Sequence, residues 1–221
     1  MQASQSKPYR GIGMEGFIAN WYAKNTAGDI EDFRRTARVI ADRLPAGAQI
    51  LEIAPGPGFL AIELAKLGAY QITGLDVSKS FVRIATENAR MAGLNIDFRL
   101  GDAHALPFAP GSFDFIVCRA AFKNFSDPVK ALGEMQRVLK PDGTALIIDM
   151  RSDVSDATID EFVKSRAGGR INALLTGLTF KHMLRKRAYR PADMLAMARK
   201  AGFSRCDIDE ASIGMDVWLR P

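Results

Sequence analysis

Short apolar runs alternate with segments of helical periodicity over residues 48–150, and this alternation limits the possible folds more than any other feature of the sequence. The runs with the length of buried strands lie at 48–53, 70–76, 95–100, 113–118 and 144–150. In the segments between them, such as 59–67 and 78–91, apolar residues recur as on one face of a helix. Strands that alternate with helices form a parallel sheet with right-handed crossovers. The sequence therefore predicts a doubly wound α/β layer with helices on both faces.

The flanking segments extend this layer at both ends. Residues 29–44 have helical spacing, and residues 191–201 form a further helix that Gly202 ends. Two short segments near the end of the chain, 204–210 and 214–220, indicate a closing pair of strands. The sheet is therefore predicted to have seven strands and to be mostly parallel.

The length of 221 residues fits a single domain, which buries about 70% of its unfolded surface. One segment, 151–190, is first polar and then basic and aromatic, with weaker periodicity, and is predicted to be a helical insertion over the carboxyl edge of the sheet. The predicted domain begins with an N-terminal helical cap (1–47), followed by a ligand-binding core (48–150). The insertion (151–190) comes next, and a C-terminal helix with a strand pair (191–221) ends the domain.

Composition argues against several classes of protein. No apolar run reaches the roughly 18 to 20 residues that cross a bilayer, and residues 1–16 lack a secretory signal, so a cytoplasmic protein without a transmembrane segment is expected. Cys118 and Cys206 lie far apart without CxxC spacing, which predicts neither a metal site nor a disulfide. The formal charge of +5 is compatible with an anionic partner, and five cations lie within residues 181–190. A nucleic-acid partner is not expected, because no RNA-binding module accompanies this modest charge.

The loop EIAPGPGF (52–59) lies between a predicted strand and a predicted helix. Glycine there lets the backbone approach a ligand, and the helix N-terminus offers free N–H groups. Asp76 ends the next strand, where a carboxylate can accept both hydroxyl groups of a ribose. The loop also fits the GxGxxA form of the dinucleotide fingerprint, and a plain tight turn is a further alternative.

Four linked segments carry a resemblance to class I methyltransferases, which use S-adenosylmethionine as methyl donor. They are EIAPGPG, GLDVS, GDAHALPFAPGSFDFIVC and FKNFSDPVKALGEMQRVLKPDGTALIIDM, and they follow the family's order and spacing over residues 48–150. Within the family, FKNFSDPVKAL resembles the segment after the fourth strand of quinone-biosynthesis C-methyltransferases. The resemblance implies a Rossmann-like fold, an enzyme, and S-adenosylhomocysteine as product.

The resemblance also implies a donor pocket, residue by residue. It places the methionine end on Glu52, Ala54, Gly56 and Gly58, the ribose on Asp76, and the adenine on Val77, Asp102 and Ala103. Arg119 would lie beside the methionine carboxylate, with a structural arginine as the alternative. Tyr22, in a Trp-Tyr pair, would close over the donor, with packing on the sheet edge as the alternative.

Two departures from the family's pattern affect these expectations. Ala54 stands where family members often have glycine, and donor binding is expected to survive if its φ angle stays negative. Related enzymes often place histidine where this chain has Phe122, Lys123 and Asn124, so no general base and no catalytic residue is assigned. His104, beside the predicted adenine loop, is interpreted as a bystander.

The acceptor side is predicted from the same stretch and from the insertion. Phe122, Lys123, Asn124 and His182 are the candidate acceptor contacts. In the insertion, the residues predicted to line an apolar pocket are Leu174, Leu175, Leu178, Phe180 and Met183. The residues predicted to contact an anionic acceptor are Lys181, Arg185, Lys186 and Arg187. The alternative is a helix with a solvated basic face.

These observations predict in-line transfer of a methyl group to a small-molecule acceptor without a metal. Two alternatives stay open. One is an oxidoreductase that uses a nicotinamide nucleotide, and the other is a non-catalytic protein that binds S-adenosylmethionine on the same fold. The sequence does not define the acceptor, the atom that is methylated, or the oligomeric state.

Overall fold

The structure is a computed structural model that describes residues 9–11, 13–166 and 176–221. Within these ranges the helices are α1 (Gly16–Thr26), α2 (Ile30–Ala41), α3 (Phe59–Ala65), α4 (Lys79–Met91), α5 (Pro128–Val138), α6 (Asp156–Arg166) and α7 (Pro191–Lys200). The strands are β1 (Gln49–Ile53), β2 (Gln71–Asp76), β3 (Asp97–Leu100), β4 (Phe113–Arg119), β5 (Leu139–Met150), β6 (Arg205–Glu210) and β7 (Gly214–Arg220).

All seven strands form one sheet in the order β3-β2-β1-β4-β5-β7-β6. The pairs β1–β2, β1–β4, β2–β3 and β4–β5 are parallel, and β7 is antiparallel to both β5 and β6. The predicted seven-stranded, mostly parallel, doubly wound sheet is therefore confirmed. Among the described residues, no helix is long and apolar enough to span a bilayer.

Each central strand contributes to two cores, because successive side chains point to opposite faces of a sheet. In β4, Ile116 and Cys118 pack with α5 and α7, whereas Phe115 and Val117 pack with α2, α3 and α4. Every one of these four side chains is at most 1% exposed. The helices therefore cover both faces and leave the carboxyl edge of the sheet for a ligand.

Two helix starts follow directly from the sequence. The Ser78 hydroxyl accepts from the Phe81 N–H at the start of α4, as predicted for an N-cap. At α5 the Asp127 carboxylate accepts from the Lys130 N–H, and Pro128 occupies the first turn. Both helices therefore begin directly after loops that lie at the carboxyl edge.

The structure lengthens one strand and adds one turn. The predicted strand at 144–150 begins earlier, at Leu139, because Leu139 pairs with Phe113 of β4 across a register shift. A short 3₁₀ turn, Phe122–Asn124, follows β4 and was not predicted. This turn positions the residues that were predicted to contact the acceptor.

The insertion has a small core of its own. Val154, Ile159 and Val163 are buried and pack with Phe180 and Leu184 of a π-helical turn, Phe180–Leu184. Phe180, which was predicted to line an apolar pocket, has its ring 5.8 Å from that of Phe162. Leu178 and Met183 are exposed, and Leu174 and Leu175 lie outside the described residues.

Two of the insertion's cations have partners inside the insertion. Lys181 binds Asp160 at 2.6 Å, and Arg185 binds Asp156 at 2.6 Å. Arg185 also donates to the Val154 carbonyl at 3.0 Å. These pairs tie the π-helical turn to α6.

Candidate functional site

The carboxyl ends of β1 and β4 meet where the crossovers leave the sheet in opposite directions. Ligands of doubly wound folds bind at this topological switch point. Ala54 and Ala120 directly follow the two strands, with φ angles of 55° and 59°. They are the only residues other than glycine with positive φ in the described part of the chain. Such strain costs about 1–2 kcal/mol per residue and is concentrated at functional sites.

The expectation of a negative φ at Ala54 is wrong. Its N–H donates to the Leu75 carbonyl at 2.8 Å, so the chain must leave the sheet directly after this bond. Ala120 is held in the same way, because its N–H donates to Ile148 at 2.7 Å. The hydrogen bonds to neighbouring strands override the backbone preference of alanine.

Replacing Ala54 by glycine is expected to raise the free energy of unfolding by about 0.5–1 kcal/mol. Glycine adopts the left-handed conformation without the penalty of alanine, and this gain exceeds its larger loss of chain entropy. Urea denaturation measures the difference. Ala27→Gly is the control, because Ala27 is exposed with a φ of −60°, and it should lose stability. Equal losses in both variants would contradict the strain at Ala54.

The two loop glycines differ in their surroundings. A side chain at Gly56 would meet no atom within 4 Å, whereas a Cβ at Gly58 would lie 2.9 Å from both Ala85 and Phe98. Both adopt positive φ. Gly56 therefore leaves its backbone open to a ligand, whereas Gly58 lets the loop pack against α4 and β3.

Glu52 on β1 is 3% exposed, and its Oε2 atom has no hydrogen-bond partner. Burial raises the pKa of the Glu52 carboxyl to about 8, against the hydrogen bond from the Ala61 N–H and the charge of Arg119. A buried carboxyl oxygen without a donor is unfavourable. The site therefore offers this oxygen to a cationic hydrogen-bond donor.

Arg119, at the end of β4, is held by α2. Its guanidinium lies 4.3 Å from the centre of the Phe33 ring and 4.0 Å from the Asp32 carboxylate. Its charge is close enough to Glu52 to counteract the rise in that pKa. The switch point thus holds one cation and one acid, which is the complement of an amino-acid zwitterion.

Asp76 connects the loops that follow β1 and β2. Its Oδ2 accepts from the Gly56 N–H at 3.1 Å, and its Oδ1 accepts from the Ser78 N–H at 2.9 Å. Burial raises the pKa of the Asp76 carboxyl to about 6, although these N–H groups oppose the shift. Val77, the next residue, is 43% exposed. The carboxylate keeps lone pairs for a ribose while it holds the glycine loop in place.

The predicted adenine loop is braced by His104. The Asp102 carboxylate accepts from the His104 backbone N–H at 2.9 Å, and its Oδ1 lies 2.6 Å from Nδ1 of the His104 ring. The opposite ring nitrogen, Nε2, accepts from the Asp127 N–H at 3.2 Å. His104 is therefore not a bystander: it links Asp102 to the start of α5. Ala103 is buried in the main core, so only its backbone is available to a ligand.

A segment of the N-terminal cap, residues 9–11 and 13–15, crosses the carboxyl edge, and we call it the strap. At one end, Tyr9 forms a β-bridge with Phe125, and the Arg10 N–H donates to the Asn124 carbonyl at 2.7 Å. The Ser78 hydroxyl binds the carbonyl of Met14 at the other end. The strap therefore joins the loop after β4 to the loop after β2.

Tyr22 of α1 lies on the inner side of this cap. Its ring packs edge-on against Phe81 at 5.7 Å, and burial raises its pKa, against the charge of Arg119. The charge of Asp76 also acts on it. Tyr22 therefore packs against α4 and also lies near Arg119 and Asp76, which were predicted to bind the donor.

The three predicted acceptor contacts of the 3₁₀ turn are buried. Lys123 donates from Nζ to Asp149 at 2.8 Å and to the Ala120 carbonyl at 2.6 Å. Its backbone N–H donates to the same carboxylate at 2.9 Å. The Phe122 ring packs 5.4 Å from that of Phe125. Lys123 and Asp149 thus form a buried ion pair that holds the turn in place.

Two polar atoms near this turn are buried without a partner, namely Oδ1 of Asn124 and the hydroxyl of Tyr189. The Tyr189 ring lies 5.9 Å from that of Phe122. Sequence reasoning missed Tyr189 and Asp149, because one lies in a basic segment and the other ends an apolar strand. His182 is exposed near Asp156, and the structure does not place it among these buried groups.

A family model described as a methyltransferase domain matches residues 51–147. The uncharacterized methyltransferase YcgJ of Bacillus subtilis is 39% identical over 116 residues, which is 52% of this chain and 45% of that protein. The demethylmenaquinone methyltransferase of Thermus thermophilus is 35% identical over 122 residues, which is 55% of this chain and 54% of that protein. The solved structure of the 4+2 cyclase SpnF is 29% identical with a TM-score of 0.62, over 79% of this chain and 59% of that one.

Residues 51–147, a little under half of the chain, therefore resemble the methyltransferase domain of that family model. The same part of the chain resembles a relative named as a demethylmenaquinone methyltransferase. The chain spans about half the length of the curated relatives it matches.

Proposed function

We propose that this protein transfers the sulfonium methyl group of S-adenosylmethionine to a small cyclic acceptor held beside the turn after β4. The observation that carries the proposal is the buried carboxyl that lies near a guanidinium at the switch point. Glu52 presents an unpartnered oxygen, and Arg119 presents a guanidinium. The methionine end of the donor carries an ammonium and a carboxylate, which these two side chains complement.

The remaining donor contacts are proposed from the order of the loops along the edge. Asp76 would accept from the ribose hydroxyls, and the backbone at Ala54, Gly56 and Gly58 would border the methionine end. Val77, Asp102 and the Ala103 backbone would border the adenine, with Asp102 oriented by His104. The donor supplies an electrophilic methyl group on sulfur. The chain binds, orients and excludes water with Tyr22 and the strap.

The acceptor is proposed to be a small ring with a hydroxyl or carbonyl group. Asn124 Oδ1 can accept from a hydroxyl, and the Tyr189 hydroxyl can donate to a carbonyl or a phenolic oxygen. The Phe122 ring, 5.9 Å from the Tyr189 ring, would add an apolar contact. A quinone-type acceptor fits these groups, in line with the relative named as a demethylmenaquinone methyltransferase. Contacts from His182 or from the insertion's cations to an anionic acceptor stay predictions.

Calorimetric titration tests the donor assignment. We expect S-adenosylmethionine and S-adenosylhomocysteine to bind and NAD not to bind. The reason is that NAD carries no amino-acid group that could pair with Glu52 and Arg119. Binding of NAD without S-adenosylhomocysteine would replace the proposal by the oxidoreductase alternative. Release of labelled methyl groups to hydroquinone or catechol acceptors then tests the transfer itself.

Asp76→Asn is expected to weaken S-adenosylhomocysteine binding by about 1–3 kcal/mol, because a charged hydrogen-bond acceptor is lost while one oxygen still holds the loop. Asp76→Ala should weaken it at least as much. The control is Asp97→Asn on the neighbouring strand, whose carboxylate is about half exposed and pairs with Arg99. Unchanged affinity in a folded Asp76 variant would remove this residue from the site.

A second candidate function has a specific observation in its favour. SpnF, with 29% identity to this chain, is named for a cyclisation. Likeness within this fold therefore does not define the reaction. If S-adenosylhomocysteine binds but no acceptor in the panel is methylated, a non-transferring role of the bound nucleoside becomes the better explanation.

A further inference from the structure

Helix α1 has an apolar outer face that the described residues leave uncovered. Phe17 is 83% exposed, Trp21 58% and Ile18 41%. Trp21 follows Ile18 by three positions and Phe17 by four, so the three side chains lie on one side of the helix. Isolated exposed apolar residues are common, but a contiguous aromatic and aliphatic face indicates an interaction surface.

The opposite face of α1 is already used for packing. Ala19, Tyr22 and Ala23 contact Phe81 and Ile84 of α4. The outer face is therefore not needed to hold the helix in place. α1 also follows directly on the strap, so whatever covers its outer face approaches the carboxyl edge of the sheet.

The charges around this face are mainly positive. Lys24 lies one turn after Trp21 on the same helix, and Lys79 and Arg83 are exposed on α4. None of these three cations has an ion pair within the part of the chain that the structure describes. One therefore lies on α1 itself, and two lie on the helix against which α1 packs.

Two acids nearby have partners, whereas a third, Asp29, is exposed in the turn after α1, and its charge acts on Tyr22. Glu15, at the start of α1, accepts from the backbone of Lys79 and Ser80. Glu87 of α4 pairs with Arg90. Glu15, α1, Asp29 and α4 together hold four basic and three acidic side chains, a formal charge of +1.

We propose that the outer face of α1 docks on an anionic membrane surface. Phe17, Ile18 and Trp21 would enter the boundary between head groups and acyl chains, and Lys24, Lys79 and Arg83 would lie against the lipid phosphates. Aromatic side chains with flanking cations are the groups that favour this interface. The carboxyl edge and its strap then lie beside the bilayer.

A second copy of the chain fits this face less well. Three exposed side chains present on the order of 400 Å², from the 150–250 Å² of an aromatic residue, whereas a stable protein interface needs about 800 Å² on each partner. A two-fold contact would also bring equal cations together, because both partners present the same surface. An anionic lipid surface meets neither obstacle.

The test is co-sedimentation of the full chain with vesicles of phosphatidylcholine and phosphatidylglycerol, compared with phosphatidylcholine alone. We expect binding to the anionic vesicles that weakens with salt, since screening acts over about 8 Å at physiological ionic strength. Replacing Phe17 and Trp21 together by Gln should reduce the vesicle partition coefficient by at least about tenfold, from the apolar area withdrawn. Neutralising Lys24, Lys79 and Arg83 should remove the preference for the anionic lipid.

The matched control replaces two other exposed apolar residues, Leu67 and Met91, by Gln. This variant should sediment with vesicles like the unchanged chain. A second readout is the emission of Trp21 in a Trp218→Phe background, which should shift to shorter wavelength on anionic vesicles. Equal vesicle binding by the Phe17 and Trp21 variant, or none by the unchanged chain, would overturn the proposal. Concentration-dependent dimerisation that this variant abolishes would assign the face to a second copy instead.

Discussion

Glu52→Gln is expected to stabilise the ligand-free protein and to weaken donor binding. In the folded state the Glu52 pKa is about 8, well above the ordinary value of about 4.3. When the pH is below this ordinary pKa, the Glu52 carboxyl is protonated in both the folded and the unfolded state. As the pH rises, the unfolded state releases it first, so the carboxyl lowers stability progressively until the pH passes about 8. Glutamine does not titrate, and its advantage should approach about 5 kcal/mol by about pH 8.5, since each pKa unit corresponds to about 1.4 kcal/mol.

Urea denaturation near pH 5 and near pH 8.5 measures this difference, and calorimetry with S-adenosylhomocysteine measures the loss of affinity, about tenfold or more. Glu63→Gln is the matched control. Glu63 is equally buried but pairs with Arg34 and Lys66, so its loss should destabilise the chain and leave the ligand affinity unchanged. A stability difference for Glu52→Gln that does not depend on pH would contradict the raised pKa.

Lys123→Met should be the most destabilising of these substitutions, by about 3–5 kcal/mol. Lys123 and Asp149 have side chains that are only 6% and 4% exposed. Removing the cation leaves a buried carboxylate whose other donors are the backbone N–H groups of Lys123 and Met150.

Adding Asp149→Asn to Lys123→Met should restore much of the stability, since asparagine removes the charge and still accepts a backbone hydrogen bond. Chemical denaturation of the two single variants and the double variant gives their coupling. Lys140→Met is the comparison, because its pair with Asp114 is partly exposed and should cost about 1 kcal/mol or less. Additive effects at Lys123 and Asp149 would show that the pair does not act as a unit.

The sheet was predictable because its signals are local. Apolar runs of strand length, the N-cap at Ser78 and the Asp127-Pro128 start of α5 each act within a few residues. The extension of β5 back to Leu139 was not predictable, since it depends on pairing with Phe113 in another strand. Periodicity identifies an element, but the final register depends on its neighbours.

The same distinction between local and long-range signals applies to the candidate site. Glu52, Gly56 and Asp76 were selected from the sequence, and the structure brings them together with Arg119 at one edge, although donor binding by them stays a prediction. The positive φ of Ala54 was missed because hydrogen bonding across the sheet overrides the preference of the residue. The strap was missed because its sequence has no periodicity, and its position depends on distant partners such as Ser78 and Asn124.

The strap has a consequence for the timing of ligand exchange. Its bonds to Asn124, Ser78 and the start of α4 belong to no strand of the sheet, so they can open while the core stays folded. If the proposed donor binds beneath the strap, its entry and the exit of its product would both depend on this opening. The rate of product departure would be a property of the first residues of the chain, which touch no reacting atom.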